Sequence, residues 1–224
     1  MTKFRTLLLA GAVAALGFMG TANAGILDGT FQVTIYHVTQ AATNNSADPY
    51  QQALPSNPMN NTSDEIAAFT YTGALNFNAT ANTIDNFFTS GNPGTLTNFT
   101  KGNESILGST DLSQGNFGDA TLMKISFNSA NTVTGITHDD GVSLYAAGNT
   151  SNDLLPTSDS APTSQTLSSL APPATAGAYD LYYVEANGLP AVLSVNVPEP
   201  GSLMLLGTGL LGLGLVARRR RKSV

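Results

Sequence analysis

The sequence predicts an all-β fold, a single β-sandwich or jelly-roll-like domain between two terminal targeting segments. Apolar and polar residues alternate with period two at residues 31–36, 123–127 and 179–197, a pattern typical of half-buried strands. Turn signals rich in Gly and Asn recur between short apolar pieces. No apolar pattern of helical period persists for three turns, which argues against helix bundles and βαβ units.

The N-terminal segment, residues 1–24, has the features of a secretory signal peptide. Lys3 and Arg5 form a basic region, residues 7–19 an apolar one, and Ala22-Asn23-Ala24 a small-x-small cleavage site before Gly25. A retained first membrane helix is the alternative, but the apolar run is short and ends in a cleavage signal. We therefore expect export, with residues 25–197 as the mature body.

The C-terminal segment, residues 198–224, has three parts in a fixed order. Pro198 and Pro200 fix φ and favour extended backbone around Glu199. The uncharged run 201–217 has about 17 residues, near the short limit for a helix that crosses a bilayer. The basic cluster 218–222 would stay on the cytoplasmic side. An ordinary membrane anchor behind a Pro-rich stalk is the alternative, although it needs no glutamate between two prolines.

This order of Pro198-Glu199-Pro200, apolar run and basic cluster resembles the PEP-CTERM sorting tail of exported bacterial proteins. The resemblance implies that a membrane-embedded exosortase recognises the motif and removes the helix and the basic tail. It also implies a transient anchor in the inner membrane of a Gram-negative bacterium. The product would then reach the cell surface or the extracellular matrix.

The charge of the body restricts its partners. Between residues 25 and 197, Lys101 and Lys124 stand against fourteen Asp and Glu, a formal charge of −12. Such a body disfavours nucleic acid and anionic lipid surfaces, whereas divalent cations and neutral, hydroxyl-rich polymers fit it better. The chain has no cysteine, so the exported fold must hold together without disulfides.

The first half of the body predicts strands separated by loops. His37 ends the first alternating run, where a strand-face residue is a simpler interpretation than a metal ligand. Residues 41–62 form a long polar, Pro-containing loop, which is typical of functional or disordered segments. Residues 62–69 allow a capped helix, but their aromatic and β-branched content favours a strand that continues to Phe77. We expect further short strands at 84–88 and 105–107.

The second half has sharper signals. Apolar and polar residues alternate at 123–127, which predicts a strand. A turn at 129–131 follows, and 133–137 is predicted as the returning strand. The sequence Asp139-Asp140-Gly141-Val142 then leads into another strand. Two last strands, 179–186 and 191–197, are predicted to form a hairpin because Asn187-Gly188 lies between them.

Residues 120–197 resemble the protective-antigen-type β-sandwich domain, which occurs in some bacterial toxins, carbohydrate-active enzymes and yeast flocculins. The resemblance depends on Asp139-Asp140-Gly141-Val142-x-Leu144-Tyr145, a variable loop and a closing segment built like Tyr182-Tyr183-Val184-Glu185. The sequence departs from the usual pattern at Ala146-Ala147-Gly148, where an aliphatic-Asp-Gly turn is common. In the carbohydrate-binding members, the paired aspartates hold one calcium ion that also binds sugar hydroxyls. Asp139 and Asp140 match those positions.

A calcium site at Asp139 and Asp140 is chemically reasonable, because calcium takes six to eight hard oxygen ligands and adjacent carboxylates supply oxygen and charge together. In the alternative interpretation the aspartates only favour a turn, with local backbone hydrogen bonds and Gly141 at positive φ. His138 is then expected to be an exposed neighbour, not a catalytic base.

Three hypotheses about function remain open. The first is a non-catalytic envelope or matrix protein that is sorted with exopolysaccharide and binds glycans through a calcium-dependent loop. The second is a secreted carbohydrate-active hydrolase. The third is a passive matrix protein without a ligand. No thiol nucleophile, Gly-x-Ser-x-Gly elbow or zinc spacing supports an enzyme. The tyrosines 36, 71, 145, 182 and 183 could stack on sugar rings, but their positions on alternating strands favour burial.

Overall fold

A computed structural model of the chain describes residues 24–39, 45–91, 94–115 and 117–198, together with the tail positions 207, 208 and 211. Two groups of predicted features lie outside the described residues. The first is the predicted signal peptide up to residue 23, which includes Ala22. The second is Glu199, Pro200, the basic cluster and, apart from the three tail positions, the predicted membrane helix. No helix in the described part of the chain has the length and hydropathy to span a bilayer. Residues Ala24–Pro198 form one compact unit.

The described residues fold mainly into strands, which confirms the all-β prediction. The strands are β1 (Ala24–Ile26), β2 (Asp28–Val38), β3 (Glu65–Ala74), β4 (Asn76–Ala79), β5 (Thr95–Lys101), β6 (Ala120–Ser129), β7 (Val133–Asp139), β8 (Gly141–Ala146), β9 (Thr166–Ala174), β10 (Gly177–Glu185) and β11 (Ala191–Pro198).

These strands form two sheets in which the neighbours pair antiparallel. One sheet has six strands in the order β5-β3-β2-β6-β10-β8. In the other, β11 pairs with β1 and β4 on one side and with β7 on the other, and β9 follows β7. The chain repeatedly changes sheet, as in a jelly roll.

The main core lies between the two sheets and consists of the inward side of each alternating strand. In β2, Phe31, Val33 and Ile35 are buried there, while Tyr36 belongs to a second cluster on the outer face. Aromatic rings fill much of the main core and mostly touch edge to face or tilted, an arrangement favoured by their quadrupoles, while Phe87 and Tyr183 are stacked. The rings include Phe31, Phe69, Tyr71, Phe77, Phe87, Phe88 and Tyr183.

The second cluster covers the outer face of the six-stranded sheet. Ala53 and Met59, both from the segment 45–64, pack there on Tyr36, Tyr145 and Tyr182. The described part of the predicted long loop therefore covers the outer face of the six-stranded sheet. It contains a 3₁₀ turn at Pro49–Gln51. Its role is at least partly structural, because it removes apolar strand residues from water.

Two predicted strands are in fact helices. Residues 84–88 belong to α1 (Ile84–Thr89) and residues 105–107 to α2 (Glu104–Ser109). The Thr83 side chain accepts the Asn86 N–H, and the Asn103 side chain accepts the Ile106 N–H, so each helix begins at an N-cap. Six residues are too few for helical periodicity to appear in the sequence, and the capping signal was missed.

Two predicted hairpins are also wrong. β6 and β7 lie in different sheets, and so do β10 and β11, so each connection crosses the sandwich. The predicted strand up to Phe77 is confirmed, but it is divided at Leu75, where the chain passes from one sheet to the other. Alternation predicts that a strand has two faces, but it does not identify the neighbouring strand.

Candidate functional site

The two predicted calcium ligands lie where two sheet crossings meet. Asp139 ends β7, and Asp140 alone carries the chain into β8 in the opposite sheet. Residues 186–190 carry the chain from β10 back to β11. β8 pairs with β10 through Gly141 and Val184, and β7 pairs with β11 through Asp139 and Val192. The pairing therefore places the two connections side by side at one end of the sandwich.

Gly141 is needed at this crossing for space and not for a positive φ. Its φ is not positive, so the turn geometry of the alternative interpretation is wrong. A Cβ at position 141 would collide with the backbone carbonyl oxygen of Ser160. The absence of a side chain thus lets the segment around Ser160 approach the start of β8.

The Asp140 carboxylate holds the neighbouring crossing in place. The residue is 0% exposed, and its Oδ2 accepts the backbone N–H of Ala186 at 3.0 Å and of Asn187 at 2.8 Å. These donors lie 46 and 47 residues further along the chain. The alternative interpretation predicted hydrogen bonds within a local turn, and Asp140 Oδ2 instead bonds to a distant connection. The peptide bond between Asp139 and Asp140 is cis.

The remaining partners of the Asp140 carboxylate are the side chains of Asp139 and Glu185, whose hydrogen bonds lower its pKa against the larger, opposite effect of burial. Among the described residues, no N–H or hydroxyl group donates to its buried Oδ1. Asp139, which is 7% exposed, lies next to it, and burial together with the Asp140 charge raises the pKa of Asp139 to about 6. Two carboxyl groups this close share a proton or a cation, because two unneutralised charges repel each other.

Glu185 is a further acidic residue of this site, and the sequence interpretation did not select it. It ends β10, is 0% exposed, and its pKa is raised well above the ordinary value by burial and then by the Asp140 charge. Its Oε1 lies 3.3 Å from Ser113 Oγ and its Oε2 lies 2.8 Å from Tyr183 Oη. The available signal was a glutamate that directly follows the run 181–184 and precedes Ala-Asn-Gly.

His138 is buried, so its expected position as an exposed neighbour is wrong. Its Nδ1 lies 2.5 Å from the Asp140 carbonyl oxygen and its Nε2 lies 2.7 Å from Ser168 Oγ. Burial lowers its pKa, which favours the neutral ring. With both ring nitrogens engaged, His138 supports the backbone of the crossing and offers no free catalytic base.

His37 lies away from the aspartates, on β2 in the six-stranded sheet. Its Nδ1 is 3.0 Å from Thr121 Oγ1 on the adjacent strand β6. This partner agrees with the strand-face interpretation. The structure therefore does not bring the two histidines together in one site.

Residues 186–190, which cross from β10 to β11, form the rim of the site. Asn187 and Pro190 are exposed, and the Leu189 side chain is 44% exposed. The five tyrosines considered for sugar stacking are all buried, at 9% exposure or less. An apolar contact to a ligand at this end would therefore come from Leu189 and not from a tyrosine ring.

The two aspartates form at most part of a metal site. Within the described residues, no three Asp, Glu, His or Cys side chains are grouped to hold a metal ion. A carboxylate oxygen without an N–H or hydroxyl donor beside a second carboxyl group nevertheless fits calcium, which is often completed by water and carbonyl oxygens. Because Asp140 is fully buried and Asp139 is 7% exposed, calcium would reach these carboxylates only at the edge that Asp139 leaves open.

A separate open groove lies on the covering segment, with a volume of about 520 Å³. Ser46, Gln52 and Asn57 contribute to its lining. The Asn57 side-chain amide donates to two backbone carbonyls, and the Gln52 amide donates to the Ser46 carbonyl. Because these amides are used internally, the groove has fewer free polar groups than its composition suggests.

Comparison with known proteins identifies the C-terminal segment. A family model of the PEP-CTERM protein-sorting motif matches residues 196–221. The chain therefore carries a sorting signal that implies export and exosortase processing, as its sequence predicted. A search of curated proteins finds no match.

Two solved structures are similar to the body. One is described as a PA14 sugar-binding domain from an RTX adhesin (11% identity, TM-score 0.44, covering 75% of this chain and 88% of that one). The other is the PA14 domain of an antifreeze protein (13% identity, TM-score 0.41, covering 80% of this chain and 89% of that one). Both belong to the protective-antigen type of domain that residues 120–197 resemble.

Proposed function

We propose that this protein is a non-catalytic component of the bacterial envelope or extracellular matrix that binds glycans through calcium held by Asp139 and Asp140. The observation that carries the proposal is the Asp140 carboxylate, which is 0% exposed and has no N–H or hydroxyl donor for Oδ1 among the described residues. An acceptor at such a depth is costly unless a cation binds it or the proton of a neighbouring carboxyl group satisfies it.

Bound calcium would supply positive charge and coordination positions for the hydroxyl groups of a sugar. Asp139 and Asp140 would hold the ion, and the rest of its coordination would come from water, carbonyl or ligand oxygens. The chain's own contribution is rigidity, because the N–H groups of Ala186 and Asn187 fix the Asp140 side chain. Leu189 on the rim is available to the apolar face of a sugar ring.

The charge of the body agrees with a neutral, hydroxyl-rich ligand. Fourteen acidic residues against Lys101 and Lys124 attract divalent cations and repel anionic polymers. We therefore expect an extracellular polysaccharide as the partner after sorting and exosortase as the partner before it.

The decisive experiment is a glycan array with residues 25–198, in calcium and in EDTA. The proposal predicts binding to a neutral glycan in calcium only, and no binding by Asp139→Asn with Asp140→Asn. A control variant with the exposed Asp28→Asn and Glu104→Gln has the same net charge and should bind as the wild type does. Binding that persists in EDTA, or equal binding by both variants, would contradict the proposal.

Sorting has its own test, in cells. Replacing Pro198-Glu199-Pro200 by three alanines should leave the full-length chain in the inner membrane. Replacing Ser202-Leu203-Met204 by alanines changes as many residues outside the motif and should still allow processing. Normal processing of the motif variant would show that another segment is recognised.

A further inference from the structure

The sorting signal begins inside the folded body. The family model matches residues 196–221, and β11 extends to Pro198, so the first three matched residues belong to a strand. Among them, Val197 is 4% exposed and its side chain is part of the main core. A processing enzyme acts on a folded segment through its opened state. Val197 must therefore leave the sheet before the whole matched segment is available to an enzyme.

One short strand holds this end of β11. β4 and β7 pair with β11 no further than Asn196. Among the strands that the structure describes, β1 alone pairs with the last two residues, Val197 through Gly25 and Pro198 through Ala24. The predicted signal cleavage after Ala24 would remove the partner of Pro198. In the mature chain, the pair of Gly25 and Val197 would then be the last one at this end.

β1 is weakly attached to the sandwich up to Leu27. It has three residues, of which Gly25 has no side chain and Ile26 is 36% exposed, so it buries little apolar surface. Leu27, by contrast, is 4% exposed, its N–H donates to the Val195 carbonyl at 2.8 Å, and its carbonyl accepts the Leu75 N–H at 2.8 Å. Segments with few buried contacts open at the lowest free energy. β1 can therefore open as far as Leu27 while the core stays closed.

We propose that β1 controls the access of exosortase to the sorting signal. While β1 is paired, it holds Val197 and Pro198 in the sheet, and its opening releases them to the enzyme. β1 is thus a positioning segment of the substrate and takes no part in the chemistry. The inference rests on exosortase processing of this chain and is independent of the calcium site.

A reversible disulfide tests the need for opening. The chain has no cysteine, so Gly25→Cys with Val197→Cys introduces a single pair. A Cβ at position 25 would lie 3.9 Å from Val197 Cγ2. Facing residues of antiparallel strands have Cα atoms about 4.5–5.5 Å apart, within the roughly 4.4–6.8 Å that a disulfide bridges.

Processing of the full-length chain is followed by pulse-chase in cells that carry an exosortase, with and without dithiothreitol. The oxidised chain should be processed at least about tenfold more slowly than the reduced chain of the same variant, because the bridge suppresses opening. Wild type should be processed equally in both conditions. Equal rates for the oxidised and reduced variant would overturn the inference.

Two further chains show where the bridge acts. Thr30→Cys with Thr72→Cys joins β2 to β3, where the two Oγ1 atoms are 3.4 Å apart, and should be processed as wild type in both conditions. The second chain keeps the bridge at 25 and 197 and adds a Gly-Ser spacer and a second Asn-Val before Pro198. Its oxidised form should be processed again. Slow processing of the first chain, or no recovery in the second, would place the effect in export or folding and overturn the inference.

A loosened β1 decides if the reduced Gly25 and Val197 variant is not processed either. Ile26→Gly leaves the matched segment unchanged and weakens the strand, so processing should be roughly two- to fivefold faster. An unchanged or slower rate would overturn the inference. The alanine variant of Pro198-Glu199-Pro200 is followed in parallel. Its normal processing would refute exosortase recognition itself, whereas its loss together with a bridge that has no effect would refute only the role of β1.

Discussion

In the described residues, three crossings between the sheets consist of one buried residue: Leu27 between β1 and β2, Leu75 between β3 and β4, and Asp140 between β7 and β8. Leu75 and Asp140 make the closest comparison, since both are 0% exposed. Leu75 is 0% exposed, its N–H donates to the Leu27 carbonyl at 2.8 Å, and its carbonyl accepts the Val195 N–H at 3.0 Å. Its side chain joins the apolar core. Asp140 is equally buried, but its carboxylate takes its N–H donors from another loop, and its other side-chain partners are the carboxyl groups of Asp139 and Glu185.

The comparison shows that this fold does not need a charged residue to change sheets. A leucine satisfies the backbone and adds apolar burial, whereas an aspartate introduces a desolvation cost. At the polar crossing, the two amide hydrogen bonds of Asp140 offset part of this cost, and the proposed calcium ion would offset more of it. Each prediction below tests this distinction, in order of decreasing effect.

The largest effect is expected at the apolar crossing. Leu75→Ala should lower the free energy of unfolding of residues 25–198 by about 2–5 kcal/mol, because it leaves a cavity between the sheets. The change in melting temperature on adding calcium should match that of wild type. A lost calcium response in a folded Leu75→Ala variant would mean that the two crossings are not independent.

We predict that the response to calcium comes from the polar crossing at Asp139 and Asp140. At a hundredfold excess over its dissociation constant, calcium should stabilise the body by about 2.7 kcal/mol, and Asp139→Asn with Asp140→Asn should abolish this gain. Without calcium, the double variant should be at least as stable as wild type, because an asparagine oxygen can still accept from Ala186 and Asn187. Thermal unfolding with Asp28→Asn and Glu104→Gln as a control measures both effects. A response in the double variant equal to that of wild type would place the site elsewhere.

A proton and a calcium ion should compete for the carboxyl groups of Asp139 and Asp140. The pKa of Asp139 is raised from its ordinary 3.8 to about 6, so the folded state binds a proton more tightly than the unfolded state. Its contribution to stability is therefore largest below pH 4 and is lost as the pH rises through 6, by on the order of 2 kcal/mol in EDTA. Saturating calcium should reduce this loss. A calcium-free stability that rises between pH 4 and 6 in wild type, relative to the double variant, would contradict the shared proton.

The smallest effect is expected for an ordinary ion pair. Asp180 has a cation partner, Lys124, at 3.4 Å, with the lysine side chain 30% exposed. Lys124→Met should change the free energy of unfolding by only about 0.2–1 kcal/mol and leave calcium binding unchanged. Chemical denaturation of wild type and this variant measures how much the free energy of unfolding changes when an aspartate loses its neutralising lysine. This change is the reference for the effects at Asp139 and Asp140. A calcium site newly formed at Asp180 would show that any unpaired carboxylate here attracts the ion.

The positions that the sequence interpretation missed share one physical cause. Glu185 and Ser113 are 72 residues apart and meet only because β10 ends beside the segment before β6. His138 is followed by two aspartates, a context that favours exposure, but it faces Ser168 on β9. Contacts of this kind depend on strand order, which alternation does not encode.

The sequence by itself determined the all-β class, most strand faces, the sorting motif and the two aspartates as candidates. Each of these follows from residue type and spacing within a short window of the chain. Only the tertiary structure decided that the segments around Asp140 and Asn187 are adjacent sheet crossings and that Asp140 Oδ1 has no N–H or hydroxyl donor among the described residues. The reason is that burial and hydrogen-bond partners at this site are set by strands that pair across long stretches of sequence. Local propensity carries no information about those pairings.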